Sequence, residues 1–311
     1  MKSKLFGMRL IFFLLGLVLL VLLVMLSACA PAVQAPASGL PRVLAAESFL
    51  ADIAQNVAGQ RVKVGTLVPL GVDPHEYQPS PQDTARLAQS QVLIVNGLGY
   101  EWWLQKTLAN VGGGRQLVVA TTGLTPVADP TGTHPGGDPH MWLDPTRVVR
   151  YVENVRDGLT GADPAGAAVY AANAQAYITS LNDLDRWIKG QVAQVPAEKR
   201  LLVTNHESLG YFAQSYGFRV VGTVIPGLSS EASPTAQQLA SLIQAVKASG
   251  VPAIFLDVGA NPDLAQQVAA ETGTKVVSTL YLETLSAPDG PAPTYLGMMK
   301  YDVTQIVSAL R

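Results

Sequence analysis

A change of rhythm, used twice along the chain, restricts the fold more than any other feature. From residue 42 onward, short β-branched runs alternate with helical patterns. The first set of runs is Val43–Ala46, Val62–Val68, Val92–Asn96 and Leu117–Ala120; the second is Leu201–Thr204, Arg219–Val224, Ala253–Asp257 and Lys275–Thr279. Such alternation requires parallel strands covered by helices on both faces. Ser80-Pro81-Gln82-Asp83 and Ser233-Pro234 read as helix starts, a capping residue followed by proline at the first helical position. Between the two sets, the stretch from Pro164 to Val195 has no internal proline. Its apolar residues Tyr170, Tyr177, Leu181, Leu184, Ile188 and Val192 fall mostly three, four and seven apart, as one helix face requires. An unbroken helix there is about 48 Å long and acts as a stiff strut; two helices broken near Asn173 or Gly190 are the alternative. The expected fold class is α/β. It has two lobes (42–163 and 196–311), each a four-stranded, mostly parallel sheet flanked by helices, joined by one long rigid helix over 164–195. Apart from Asp-Pro-His, used twice, no internal repeat is visible.

The start of the chain follows different rules. Lys2, Lys4 and Arg9 precede an apolar run from Leu10 to Leu26, which ends in Leu26-Ser27-Ala28-Cys29. A basic head, a hydrophobic stretch and small residues make an export signal over 1–28 rather than a structural helix. The final four residues resemble the lipobox of bacterial lipoproteins, which implies lipidation of Cys29 and anchoring at the outer face of the cell membrane. Residues 29–41, rich in Ala and Pro, read as a flexible tether. Without 1–28 the net charge is (21 − 3) − 23 = −5, and such a chain offers no basic surface to nucleic acid. Cys29 is the only cysteine. No intramolecular disulfide can form, and any metal site is built from nitrogen and oxygen donors.

Four histidines are present, His75, His134, His140 and His206, and three have informative positions. His75 lies in the loop leaving the second strand, His140 in the loop leaving the fourth, and His206 directly after the fifth. Ligands of open α/β sheets bind outside the carboxyl ends of the strands, so all three project into one crevice and point to a transition metal. Asp73 and Asp138 each precede a histidine by two residues. They can hold the imidazole's other N–H or cap their loops as Asx turns. His134, in Thr131-Gly132-Thr133-His134-Pro135-Gly136-Gly137, reads as loop. Tyr100, Trp102 and Trp103 read as packing against the neighbouring lobe or the strut.

Asp73-Pro74-His75-Glu76-Tyr77, Asp138-Pro139-His140-Met141-Trp142-Leu143-Asp144-Pro145 and Asn205-His206-Glu207-Ser208-Leu209-Gly210-Tyr211-Phe212 together resemble the signature segments of the TroA-like zinc- and manganese-binding lipoproteins of ABC importers. The likeness extends from Arg42 to Arg311. It implies two α/β lobes joined by a rigid helix, a permease and its ATPase as partners, and a monomeric receptor. It also implies four metal ligands. His75, His140 and His206 match the first three positions, and the acid at the fourth, usually aspartate, is Glu283. The extra methylene requires the loop to retreat or the carboxylate to bind differently. Glu76, Glu207 and Asp257 are the competing acids.

Three imidazoles and one carboxylate suit Zn2+ in tetrahedral coordination, with Mn2+ or Fe2+ as alternatives. An acid at the third position tends to accompany manganese in the family, whereas this chain has His206. Copper(I) is disfavoured because only Met141, Met298 and Met299 follow the signal and no free thiol exists. A metallohydrolase needs an open coordination position and a general base. Glu207 stands beside His206, but His206-Glu207-Ser208-Leu209-Gly210 lacks the second histidine of H-E-x-x-H. A receptor for a chelated metal or organic cofactor has no use for three converging histidines. The chain is therefore expected to be a solute receptor and not an enzyme; an adhesive role at the surface is compatible with the same features.

Overall fold

A computed structural model describes residues 39–129, 134 and 136–311. The expected export signal, Cys29 and most of the expected tether lie outside these residues. Residues 40–311 form one compact unit. The first sheet comprises β1 (Val43–Ala45), β2 (Val64–Thr66), β3 (Val92–Val95) and β4 (Gln116–Val119), in the order β2-β1-β3-β4. The second comprises β5 (Leu201–Thr204), β6 (Arg219–Thr223), β7 (Ala253–Asp257) and β8 (Lys275–Leu280), in the order β6-β5-β7-β8. Every strand pair is parallel. The two sheets thus share one topology, although the sequence shows no repeat. Central strands β3, β5 and β7 are buried at every residue, as sheets covered on both faces require.

The first half carries helices α1 (Ser48–Ala58), α2 (Pro81–Gln89), α3 (Trp102–Val111) and α4 (Pro145–Ala162). After α5 (Ala167–Val192), the second half carries α6 (Gly210–Tyr216), α7 (Ala236–Ser249), α8 (Asp263–Thr272) and α9 (Tyr295–Leu310). Helix α2 starts where the sequence indicates: Ser80 accepts from the Asp83 amide and Asp83 accepts from the Ser80 amide. Helix α7 does not. Its cap is Thr235, in a reciprocal box with Gln238, so Ser233-Pro234 belongs to the preceding loop. Three hydrogen bonds between Thr235 and Gln238 at the true start outcompete the proline signal.

Helix α5 runs unbroken through Asn173 and Gly190, with Tyr170, Tyr177, Leu181, Leu184, Ile188 and Val192 on its buried face. Pro164–Gly166 is a separate 3-10 turn, so the helix is 26 residues, about 39 Å. It packs on α1 and α4 from the first half and on α6 and α9 from the second. The turn ahead of it is fixed by Asp163, which accepts from Arg61 Nε (2.5 Å) and Nη2 (2.8 Å) and from the Tyr170 hydroxyl (2.6 Å). One apolar core runs from Val43 and Phe49 through α5 to Phe255, Met298 and Val307, so both sheets rest on the same packed interior. Among the described residues no helix is long and apolar enough to cross a membrane.

Candidate metal centre

The loops leaving β2 and the region after β4 are built alike. In Asp73-Pro74-His75 the Asp73 carboxylate accepts from the His75 amide (2.8 Å); in Asp138-Pro139-His140 the Asp138 carboxylate accepts from the His140 amide (2.9 Å). Both aspartates therefore make Asx turns. Asp138 Oδ1 also lies 2.8 Å from His140 Nδ1, which turns that imidazole's Nε2 into the crevice. Asp73 instead spends its second oxygen on the Ser230 hydroxyl, 2.5 Å away. The Trp102 indole N–H donates to the His75 carbonyl (2.7 Å), and Asn96 Nδ2 donates to the carbonyl of Pro139 (3.0 Å).

Residues of the second half are held just as closely. His206 leaves β5 directly, and its carbonyl accepts from Thr204 Oγ1 (2.6 Å). Glu283 follows β8 on a loop whose amides are bound by two buried acids. Asp302 accepts from the Tyr281 amide (2.8 Å), and Asp257 accepts from those of Leu282 (2.6 Å) and Glu283 (3.3 Å). From the first half, Trp142 Nε1 donates to the Leu282 carbonyl (2.7 Å).

These elements bring His75, His140, His206 and Glu283 together, each no more than 2% exposed. Glu283 Oε1 lies 3.4 Å from Nε2 of His75, 3.4 Å from that of His140 and 2.9 Å from that of His206. The Nε2 atoms of His140 and His206 are 3.3 Å apart, and all four donors lie within 4.8 Å of one another. A tetrahedron of donors around an ion with bonds of about 2.0–2.1 Å has edges near 3.4 Å. His75 Nε2 and Glu283 Oε1 are buried and make no hydrogen bond. Four donors converging on one buried point, two of them without a hydrogen bond in the protein, fit a cation held among them.

Charge in the cluster is strongly coupled. Burial opposes protonation of His140, but the Asp138 and Glu283 carboxylates outweigh it and lift the imidazole to about 9. Burial pushes His206 down. Burial also opposes charge on Glu283, yet the surrounding imidazoles hold it well below the usual carboxylate range. Asp257 is driven up to about 7 by burial and by the Glu283 charge.

The competing acids are elsewhere. Glu76 is exposed, Glu207 is half-buried with its amide bonded to the Gly227 carbonyl, and Asp257 secures the Glu283 loop. His134 is half-buried, its amide donating to Asp129 (2.8 Å). The aromatic trio lies close to the histidines. Tyr100 is fully buried with its ring centroid 4.9 Å from that of His75 and 5.9 Å from that of His140, while Trp103 packs on Tyr77. Gly97-Leu98-Gly99, with positive φ at all three residues, leads the chain into this segment. Tyr100, Trp102 and Trp142 are the contributors that sequence reasoning missed; their signal was a place beside the loops that carry the histidines.

The family model described as zinc-uptake complex component A, periplasmic (ZnuA), matches residues 43–309. The chain belongs to this family. Among ZnuA-family relatives, the manganese-binding lipoprotein MntA of Halalkalibacterium halodurans is 36% identical over 269 residues, covering 86% of this chain and 88% of that protein. The iron-binding protein YfeA of Yersinia pestis is 32% identical over 85% of each chain. The manganese ABC transporter substrate-binding lipoprotein PsaA of Streptococcus mitis is 27% identical, covering 94% and 97%. The periplasmic zinc-binding protein TroA of Treponema pallidum superposes with a TM-score of 0.81 at 25% identity, covering 88% of this chain and 99% of that one. A manganese-bound periplasmic metal-binding protein of Candidatus Liberibacter asiaticus superposes with a TM-score of 0.78 at 32% identity, covering 87% and 100%. ZnuA-family membership makes the chain an extracytoplasmic, metal-binding substrate-binding protein of the ABC-importer type, not an enzyme.

Proposed function

We propose that the chain captures zinc, with manganese as second cargo, through His75, His140, His206 and Glu283, and delivers it to the permease and ATPase of an ABC importer. The observation that carries this reading is the convergence of three imidazole nitrogens and one carboxylate oxygen at a buried point. His75 and His140 come from the half before α5, His206 and Glu283 from the half after it, so the ion is gripped by residues 42–163 on one side and 196–311 on the other, with 164–195 between. Three neutral nitrogens and a closed four-donor set favour zinc, and intrinsic affinity ranks zinc above manganese in one site. Manganese is retained as the second reading because the 36%-identical relative is named for it. Burial of all four donors leaves no face for a chelated metal or an organic group. Competition titration of the metal-free protein should show zinc displacing manganese at equal concentrations; manganese retained against equimolar zinc reverses the assignment.

The lipid anchor is part of the same proposal. Leu26-Ser27-Ala28-Cys29 is followed by a short tether, which keeps the receptor near the importer at the membrane. Cys29→Ser should release the protein from the membrane fraction or leave the precursor unprocessed. A Cys29→Ser protein that is still processed and still needs detergent for extraction would rule out lipidation at this residue.

A further inference from the structure

Asp73 joins the two halves at the edge of the crevice. Its Oδ1 accepts from the His75 amide (2.8 Å), while its Oδ2 accepts from the Ser230 hydroxyl (2.5 Å). Asp73 belongs to the loop after β2 and Ser230 to the loop after β6, so this bond ties the loops of the two halves together, alongside that of the Gly71 amide to Thr284 Oγ1 (3.0 Å) next to Glu283. The loop carrying Ser230 is itself bonded to the residues flanking His206: the Ile225 amide donates to the Asn205 carbonyl (2.7 Å), and the Glu207 amide donates to the Gly227 carbonyl (2.9 Å). One side of the bond is therefore anchored to the His75 backbone and the other to the His206 backbone. Beside it lies a cavity of about 420 Å³ whose wall includes Asp73 and Glu76 from the first half and Asn205, Ser230 and Asn261 from the second. The cavity reaches Asn205, the residue before His206, and its acidic wall suits the passage of a cation.

We infer that the Asp73–Ser230 hydrogen bond is a clasp that times metal uptake and release, with Ser230 a positioning residue that contacts no ion. The inference rests on His75 and His206 being ligands. For an ion to leave between them, their loops have to part on the cavity side, and the clasp resists that separation. In Ser230→Ala the Asp73–His75 bond survives, so the donors keep their places while the barrier to parting falls. Uptake and release then accelerate together, and the equilibrium affinity changes little.

The test is stopped-flow kinetics on the full chain loaded with zinc, mixed with excess chelating dye, with uptake followed in a separate mixing experiment. Ser230→Ala should release zinc about tenfold to a hundredfold faster, the range for losing a hydrogen bond to a charged acceptor, and take it up correspondingly faster. Its Kd should stay within about threefold of the parent. Ser230→Thr should restore slow exchange, since it keeps the hydroxyl and its methyl can enter the adjoining cavity. Release from Ser230→Ala no faster than from the parent overturns the clasp, as does a loss of affinity without faster uptake, which would mark a static support. If the parent binds neither zinc nor manganese, the ligand assignment itself fails and the clasp falls with it.

Discussion

Replacing His75, His140 or His206 with alanine should weaken zinc binding more than about a hundredfold in each case. Losing a group that only orients a ligand already costs about 10–100-fold, and these three supply the nitrogens themselves. Each imidazole is buried, and its removal leaves an ion one nitrogen short in a closed four-donor set. Glu283→Ala should cost less, because three imidazoles remain and water can enter. Glu283→Asp should resemble Glu283→Ala more than the parent. Asp302, Asp257 and Trp142 pin residues 281–283, so the loop cannot advance to compensate for the lost methylene. His134→Ala should leave affinity unchanged. Calorimetric titration decides these cases, with metal-free melting curves to confirm folding. Undiminished affinity in any one histidine variant removes that residue from the site, and in all three it ends the metal-receptor reading.

Zinc should also raise the melting temperature by roughly 10 °C. A ligand at about a thousand times its Kd adds about 4 kcal/mol, and a domain near this size gains a few degrees per kcal/mol. The gain is large because the unfolded chain cannot assemble donors drawn from positions 75, 140, 206 and 283. Calorimetric scans with and without saturating zinc test this, and the His140→Ala protein should lose most of the shift. Identical melting of the parent in both conditions would contradict capture between the halves.

The fold was legible because its signals are local. Each strand of the two sets lies within two residues of its expected ends, since β-branched runs bounded by turns leave little choice; the limits of α5 and the cap of α7 moved, where a 3-10 turn and the Thr235–Gln238 box intervened. The three histidines were singled out by their scarcity and their strand-end positions, and Glu283 by the family resemblance; the structure brings the four together. What stayed hidden depends on contacts far apart in sequence. Nothing near Trp102 announces a bond to the His75 carbonyl, and nothing near Trp142 announces one to Leu282, 140 residues away. The shared strand order of the two sheets was equally invisible, because topology can persist after sequence similarity has decayed.

The core that joins both sheets also bears on when the chain can fold. Helix α9 packs on α1, and the Tyr295 amide donates to Asp52, 243 positions earlier. The Tyr295 hydroxyl bonds the Trp142 carbonyl, in the same interior. The first half thus lacks part of its wall until residues 295–310 exist. Closing contacts at such separation is slow, and a nascent chain holding only the first sheet has the core around Leu44, Leu67, Leu93 and Trp103 but not the interior it shares with the second half. On the reading of residues 1–28 as an export signal, such a delay would keep the chain threadable during translocation, with its fold completed on the far side of the membrane.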